Sequence, residues 1–491
     1  MSGSILSRIL GAFEGFRGKV DGGDRVATRI LFAVFVLLLT TLYVSGMKII
    51  TMEPAGMLGT GSRSDFDDYY QASIRLRTGG DLYNLQRLEA GREAAAAGSL
   101  DPSLVQGVGS YLYPPLTAWL LTPLSYLEYE PAAFAYQTLS LLALCGFFYF
   151  IYWRLRAREV GTRIGPVAFV ALCASLLLFQ FLLGNADNGN IGFFLILLGG
   201  AGVVLAFASR DLAQFVGGFC LGIATCIKIT PVFLVLPLVA GGRVVAVLGM
   251  GAGGVAGLVL PALTLGFVEN LALLQDWYGF LIGNFQKYSI VRPWANNQTI
   301  SAAVGKFLLV GADLRQGDYG LPLFFRALPD AETRALLIGG VRGANMALYL
   351  LGLLTALRLF LMGSRRPGSP FVDERTVRML MLASLISLVA SGVSWFHAYC
   401  VLLVPVLLRL YLHWYGRRPL ERGEVLALAG IGIFGVGTTS LGPFLREALA
   451  MYSVFVLIAL AVAVYMAVLL WLRPAGSADG GRAENARAGS N

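Results

Sequence analysis

Long apolar runs, separated by short polar and basic breaks, fill the chain from about residue 28 to residue 473. Many approach the ~20 residues a helix needs to cross hydrocarbon. The pattern therefore predicts an all-α polytopic membrane protein. Spans are expected at 28–50, 131–153, 164–183, 188–208, 212–227, 230–241, 244–266, 343–362, 377–394, 397–413, 424–441 and 450–472, about twelve transmembrane helices. The 212–241 pair is short and interrupted at Lys228-Ile229-Thr230-Pro231. Folded as a re-entrant hairpin, it lowers the count to about ten and leaves sidedness unchanged.

Polar positions orient these spans. Residues 1–27 form a cytoplasmic amphipathic segment, with Ile5, Leu6, Ile9, Leu10, Phe13 and Phe16 at helical spacing and Arg8, Arg17 and Lys19 between them. Basic short loops at Arg154–Arg163, Arg210, Arg243, Arg365–Arg378 and Arg417–Arg422 then fall on one side, as the positive-inside rule requires. Both termini are cytoplasmic in this arrangement. The long segments 51–130 and 267–342 become outer loops of one domain, 28–473. Residues 71–84 read as a short amphipathic helix ended by Gly79-Gly80. The stretch 111–127 resembles a span, but it holds Pro114, Pro115 and Pro123, and counting it would place the Arg154 loop outside. It is expected as an outer-face juxtamembrane helix. Residues 474–491, rich in Gly, Ala, Ser and charge, predict a disordered cytoplasmic tail. No internal repeat stands out, which weakens a transporter built from duplicated halves.

Composition sharpens this picture. Of 491 residues, 56% are hydrophobic and only 14% charged, against about a quarter charged in soluble domains. The net charge of +9 sits in short inter-span loops and suits anionic lipid headgroups; no basic patch interleaved with aromatics points to nucleic acid. All five cysteines lie inside apolar runs without ligand spacing, and two histidines are too few for a His-rich metal site. The long first run lacks a small-residue cleavage site, so no cleaved signal peptide is expected.

Once sidedness is set, the unusual polar residues gather at the outer level. Asp65, Asp67 and Asp68 fall in SDFDDYY (64–70), with Tyr69 and Tyr70 beside them. GNADNGN supplies Asn185, Asp187, Asn188 and Asn190; Lys228 precedes Pro231; RPWANNQT supplies Arg292, Trp294, Asn296, Asn297 and Gln298; SWFH supplies Trp395 and His397. Each has a plainer explanation: a hydrated acidic loop with interfacial tyrosines, a tight turn, a snorkelling lysine, an arginine pairing with headgroups, an aromatic-belt histidine. Together, polar groups from distant regions meeting at one level suggest a cavity. A lipid-phosphate sugar donor needs cations there, and Lys228, Arg292 and His397 suit a developing phosphate charge. A sugar hydroxyl needs a carboxylate to remove its proton. Asp65 is the candidate base, with Asp67 or Asp68 as the next choice. One base and in-line displacement invert the anomeric centre, whereas a retaining hydrolase uses two carboxyls about 5–5.5 Å apart. Tyr69, Tyr70, Tyr113 and Trp294 offer faces for sugar rings. The cluster of Asp65, Asp67 and Asp68 could also bind a divalent cation, because hard cations prefer carboxylate oxygens.

With these residues in view, the chain resembles the GT-C superfamily of polyprenyl-phosphate-sugar-dependent glycosyltransferases, and within it glycosyltransferase family 87, typified by polyprenyl-phosphomannose-dependent α-mannosyltransferases. The resemblance rests on SDFDDYYQASIRLRTGGDLY (64–83), YLYPPLTAWLLTPL (111–124), GIATCIKITPVFLVLPL (222–238), NNQTISA (296–302) and SWFHAYCVLLVP (394–405). It implies a GT-C fold, Asp65 as the base, Lys228 as a donor-phosphate contact, and Asn297, Gln298, Trp395 and His397 as cavity-lining or phosphate contacts. It also implies catalysis without metal or other cofactor. Many relatives carry paired histidines where this chain has His397-Ala398.

The resulting expectation is an inverting enzyme of a bacterial inner membrane, active at the periplasmic face. Its partners would be a polyprenyl-phosphate sugar, mannose first, a glycolipid or glycan acceptor, and membrane lipid. A polyprenyl-lipid transporter or a non-catalytic assembly subunit would use the same groove without needing the base.

Overall fold

The computed structural model describes residues 5–51, 64–83, 111–156, 164–279, 296–306, 331–362, 373–416, 418–437 and 442–472. Among them the regular structure is helical, and the isolated antiparallel bridge between Asn297 and Trp395 is the nearest thing to a sheet. Of the expectations above, Arg292, Trp294, the Arg365/Arg366 loop and the tail lie outside the described residues, as do parts of both long loops.

Six described helices are long and apolar enough to cross a membrane: Arg25–Thr51, Tyr129–Arg156, Val244–Leu265, Leu336–Leu361, Phe396–Trp414 and Val454–Leu472. A seventh crossing is available if Ile164–Leu177 and Phe179–Asp187, bent by 75° at Leu178, form one broken span. Among the described residues the remaining apolar runs form shorter helices. Gly192–Ala206 has 15 residues, Asp211–Ile227 has 17 and Glu374–Val389 has 16. The run from Thr230 opens as a 3-10 turn at Pro231 and gives only six α-helical residues, Val235–Ala240. The run from Arg422 passes into a π turn after Gly432. At 1.5 Å per residue, helices this short fall below a ~30 Å hydrocarbon layer. Apolar composition sets how many runs there are; proline, glycine and local turns set how many become full spans.

Glu374–Val389 is the centre of the bundle, buried from Thr376 to Val389. It begins at an ion cluster in which Arg378 and Arg409 meet Glu374, Glu421 and Glu424, and it runs toward the Ser391–Ser394 turn that precedes His397. Asp211–Ile227 and Val244–Val259 pack backbone to backbone. A methyl group at Gly218 would lie 1.9 Å from the Ala246 carbonyl oxygen, and one at Gly249 would lie 2.2 Å from that of Phe215. Small residues let helix axes approach this closely, and the contact fixes the helix that ends at Lys228.

The 111–127 stretch is a seven-residue helix, Pro115–Leu121, followed by a 3-10 turn, Thr122–Tyr126. It is too short to cross and lies along the Asp65–Thr78 helix: Ser73 Oγ donates to Ala118 O at 3.0 Å, Tyr70 Oη to Leu127 O at 2.8 Å, and Arg77 Nε to Ser125 Oγ at 3.0 Å. The amphipathic segment forms the helix Ile5–Gly22, with Phe13 against Phe169 and Trp414, and Asp21 accepting from Tyr415 Oη at 2.7 Å.

Candidate active site

SDFDDYY does not open a loop; it is the first turns of a helix. Ser64 caps it, its Oγ accepting from Asp67 N–H at 3.1 Å, and the helix runs Asp65–Thr78 to a left-handed Gly79. Carboxylates in a first turn are stabilised by the helix dipole. The Asp65 and Phe66 N–H groups, which have no partner within the helix, donate to Asn188 O at 2.9 and 3.3 Å. The GNADNGN turn thus seats the helix. Gly189, at φ +59°, lies where a side chain's Cβ would come within 2.8 Å of Phe66 Cβ, so this contact accepts only glycine.

Around Asp65 four regions converge. Its Oδ2 accepts from Asn190 Nδ2 at 2.9 Å and lies 3.0 Å from His397 Nε2. The imidazole N–H is not aligned on that oxygen as a hydrogen bond and has no other partner among the described residues; the His397 side chain is 10% exposed. Burial works to raise the Asp65 pKa, but the charge of the adjacent His397, the Asn190 hydrogen bond and the Lys228 charge outweigh it, and the net shift is downward. Asp65 is therefore ionised at neutral pH. Tyr69 Oη donates to Tyr113 Oη at 3.0 Å, with the rings edge to face at 5.1 Å. Burial, and the nearby Asp65 charge, push both phenols upward, so both keep their protons.

Lys228 follows the last turn of Asp211–Ile227 in an extended conformation, and Thr117 Oγ1 pins that end by donating to Ile227 O at 2.8 Å. Its Nζ stands 5.7 Å from the centre of the Tyr113 ring. His397 is carried by a 3-10 turn, Phe396–Leu402. Beneath it Phe181, Phe396, Tyr399 and Phe455 stack with centroids 4.6–6.0 Å apart.

The other expected site residues divide. Asn185 is fully buried, its Nδ2 without a partner among the described residues and its Oδ1 3.6 Å from Cys400 Sγ. Asn188 acts through its backbone, and its Nδ2 donates to Gly184 O at 2.7 Å. Asp67 is buried on another face, within 3.4 Å of Gln71 Nε2; Tyr70 stacks edge-on against Tyr129. Asp68 is half-buried one turn along from Asp65, with Tyr113 sensing both charges. Asn297 and Gln298 are fully buried. Asn297 Oδ1 accepts from Ser394 N–H at 3.1 Å, Gln298 N–H donates to Ser394 O at 2.8 Å, and Gln298 Nε2 donates to Ala450 O at 2.9 Å. These bonds tie the 296–298 segment to Ser394 and Ala450, just ahead of His397. Trp395 is half-buried and is paired through its backbone with Asn297.

Asn190 and Lys306 are the residues the sequence left unassigned. Lys306 Nζ, fully buried, donates to Asn297 O at 2.8 Å, Ala450 O at 3.0 Å and Ser453 Oγ at 3.3 Å; burial pushes its pKa down to about 7. Asn190 was visible only as one of several turn-forming asparagines. Past Lys228, Thr230 and Pro231 help line a small, mostly apolar pocket of about 40 Å³ with Leu195, Gly199, Leu234, Ser384 and Val401, among others. The described acidic trio within metal-ligand reach, Glu374, Glu421 and Glu424, is the one matched by Arg378 and Arg409.

No curated protein and no solved structure matches the chain. The model of glycosyltransferase family 87 matches residues 111–392, a stretch holding Tyr113, Asn190 and Lys228, with Asp65 and His397 lying beyond its two ends. That match spans more than half of the chain, and with the apolar helical bundle around it the chain belongs to glycosyltransferase family 87 as a membrane glycosyltransferase.

Proposed function

We propose that this enzyme transfers one sugar, mannose or another hexose or pentose, from a polyprenyl phosphate to a hydroxyl of a lipid-linked or glycan acceptor. Transfer inverts the anomeric centre and takes place at the outer face of a bacterial inner membrane. The observation that carries the proposal is the meeting of Asp65, ionised and half-buried, with His397 and Lys228 at one end of the bundle.

Each group has a task. Asp65 takes the acceptor O–H proton as that oxygen bonds to the anomeric carbon. The bond from the anomeric carbon to the phosphate oxygen breaks, and its electron pair stays on the phosphate. Lys228 and His397 Nε2 answer the charge that gathers there, with Asn185 Nδ2 as a further donor. Tyr113, under Lys228, offers a face to the sugar. The apolar lining at Thr230, Pro231, Leu234 and Val401, close in sequence to Lys228, suits the first isoprene units of such a donor and leaves its head group among the polar side chains.

The test uses the full chain in lipid nanodiscs, with polyprenyl phosphates carrying radiolabelled mannose, glucose or a pentose, and alkyl glycosides as acceptors. Transfer from one donor is expected, with its loss in Asp65→Asn while donor binding persists. Turnover of no donor in the panel, or full-rate transfer by Asp65→Asn, overturns the proposal. Bilayer movement of the donor by Asp65→Asn at the wild-type rate would instead identify a transporter.

A further inference from the structure

We infer that Asn190 is a positioning residue for the transfer step, fixing which oxygen of Asp65 receives the acceptor's proton. The inference rests on Asp65 being the base, as proposed above.

The amide can face only one way. Asn190 Oδ1 accepts the Gly192 N–H at 3.0 Å, and turning the amide over would set an NH₂ group against that N–H. The Asn190 backbone N–H is itself tied to Asn185 O at 2.9 Å. The residue is 1% exposed, so water does not compete for it. Nδ2 is thereby directed at Asp65 Oδ2, 2.9 Å away, with Tyr69 Oη at 3.4 Å. Tyr69 in turn donates to Tyr113. One side chain therefore sets the orientation of the base and of the phenol pair beside it.

The two Asp65 oxygens become inequivalent. Oδ2 carries the Asn190 hydrogen bond and faces His397 at 3.0 Å, while Oδ1 has no hydrogen-bond partner among the described residues. The acceptor O–H proton passes to Oδ1 as the acceptor oxygen bonds to the anomeric carbon and the phosphate departs. Without the Asn190 donor, the carboxylate can rotate and present either oxygen, and fewer bound complexes are aligned for attack.

Asn190→Asp is nearly isosteric and replaces the donor with a second carboxyl, so that two carboxylates share one proton and the affinity of the base for protons rises. The titratable groups facing Asp65 are His397, Lys228, Tyr69, Tyr113 and Tyr136, and the substitution leaves all five in place. The experiment measures kcat and KM for the donor against pH, in nanodiscs, for the wild type, Asn190→Asp and Asn190→Ala, with thermal unfolding as a check on folding. Asp65→Asn, run alongside, tests the base assignment itself: full-rate transfer in that variant removes the reading on which the inference rests, whatever the Asn190 variants do. The positioning role predicts kcat about 10-fold lower or more in both Asn190 variants, donor KM within about twofold, and an acid limb raised by about one pH unit or more in Asn190→Asp. Asn190→Asp with wild-type kcat and an unmoved acid limb overturns the inference. So does a raised donor KM at unchanged kcat, which would make Asn190 a donor contact.

Discussion

His397 Nε2 lies 3.0 Å from Asp65 Oδ2, although the two residues come from opposite ends of the chain. The imidazole is the foremost of the groups holding the Asp65 pKa down against burial. His397→Gln leaves the burial and removes that opposition, so the Asp65 pKa rises. Because the base must be ionised, and is ionised only above its pKa, the acid limb of kcat/KM moves to higher pH. A fall of about 10²-fold at neutral pH is expected from the lost charge stabilisation. A pH–rate profile checks both, and an unmoved acid limb would separate His397 from Asp65.

Asp65 and Asp67 are close in sequence but face different surroundings. Asp65→Asn is expected to cost about 10²–10⁴-fold in kcat. Asp67→Asn, buried near Gln71, is expected to lower the unfolding temperature and change turnover by no more than about threefold. Paired kcat and melting measurements distinguish a base from a structural carboxylate.

Lys228 stands over the Tyr113 ring, two residues before Thr230 and Pro231, which help line the apolar pocket. Lys228→Met keeps the stem and removes the charge, and should weaken donor binding by about 1.5–3 kcal/mol, or 10- to 150-fold in Kd. Titration with a non-transferable polyprenyl phosphonate measures it, and an unchanged Kd would refute the phosphate contact.

Asn297 joins the 296–306 segment to Ser394, three residues before His397. Asn297→Ala leaves the buried Ser394 N–H without its acceptor, at a cost of about 1–3 kcal/mol. A lower melting temperature is expected, together with reduced kcat at nearly unchanged donor KM. An altered KM with unchanged kcat would restore Asn297 to the donor cavity.

Glu424 is 2% exposed and accepts from Arg378 Nε at 2.9 Å and Arg409 Nε at 3.0 Å. Glu424→Ala leaves two buried guanidinium groups without their shared carboxylate and should cost about 3–5 kcal/mol. Thermal unfolding in detergent should show the loss, and any protein that remains folded should keep its KM.

Legibility in the sequence varied with the range of the interaction. The 71–78 helix, its glycine stop and the short proline-broken 111–127 element were readable because caps, prolines and glycines act on adjacent residues. The start of the helix at Asp65 was harder to see, because its first N–H groups bond to Asn188, more than a hundred residues away. The apolar pattern likewise marked every run that enters the bundle. It could not show that the 164–187 segment bends by 75° at Leu178, or that the 230–240 segment begins as a 3-10 turn.

By itself the sequence determined the membrane class, the helical fold and the short list of polar residues placed against a strong hydrophobic background, because hydropathy and local turn chemistry are written residue by residue. Only the tertiary structure decided where each polar residue sits. It set Asp65 against His397 and Asn190, placed Asp67 beside Gln71, and buried Asn297 and Gln298 against Ser394 and Ala450. Those outcomes depend on which helices lie side by side, and that is settled by close packing such as Gly218 against Ala246, which no short window of sequence contains.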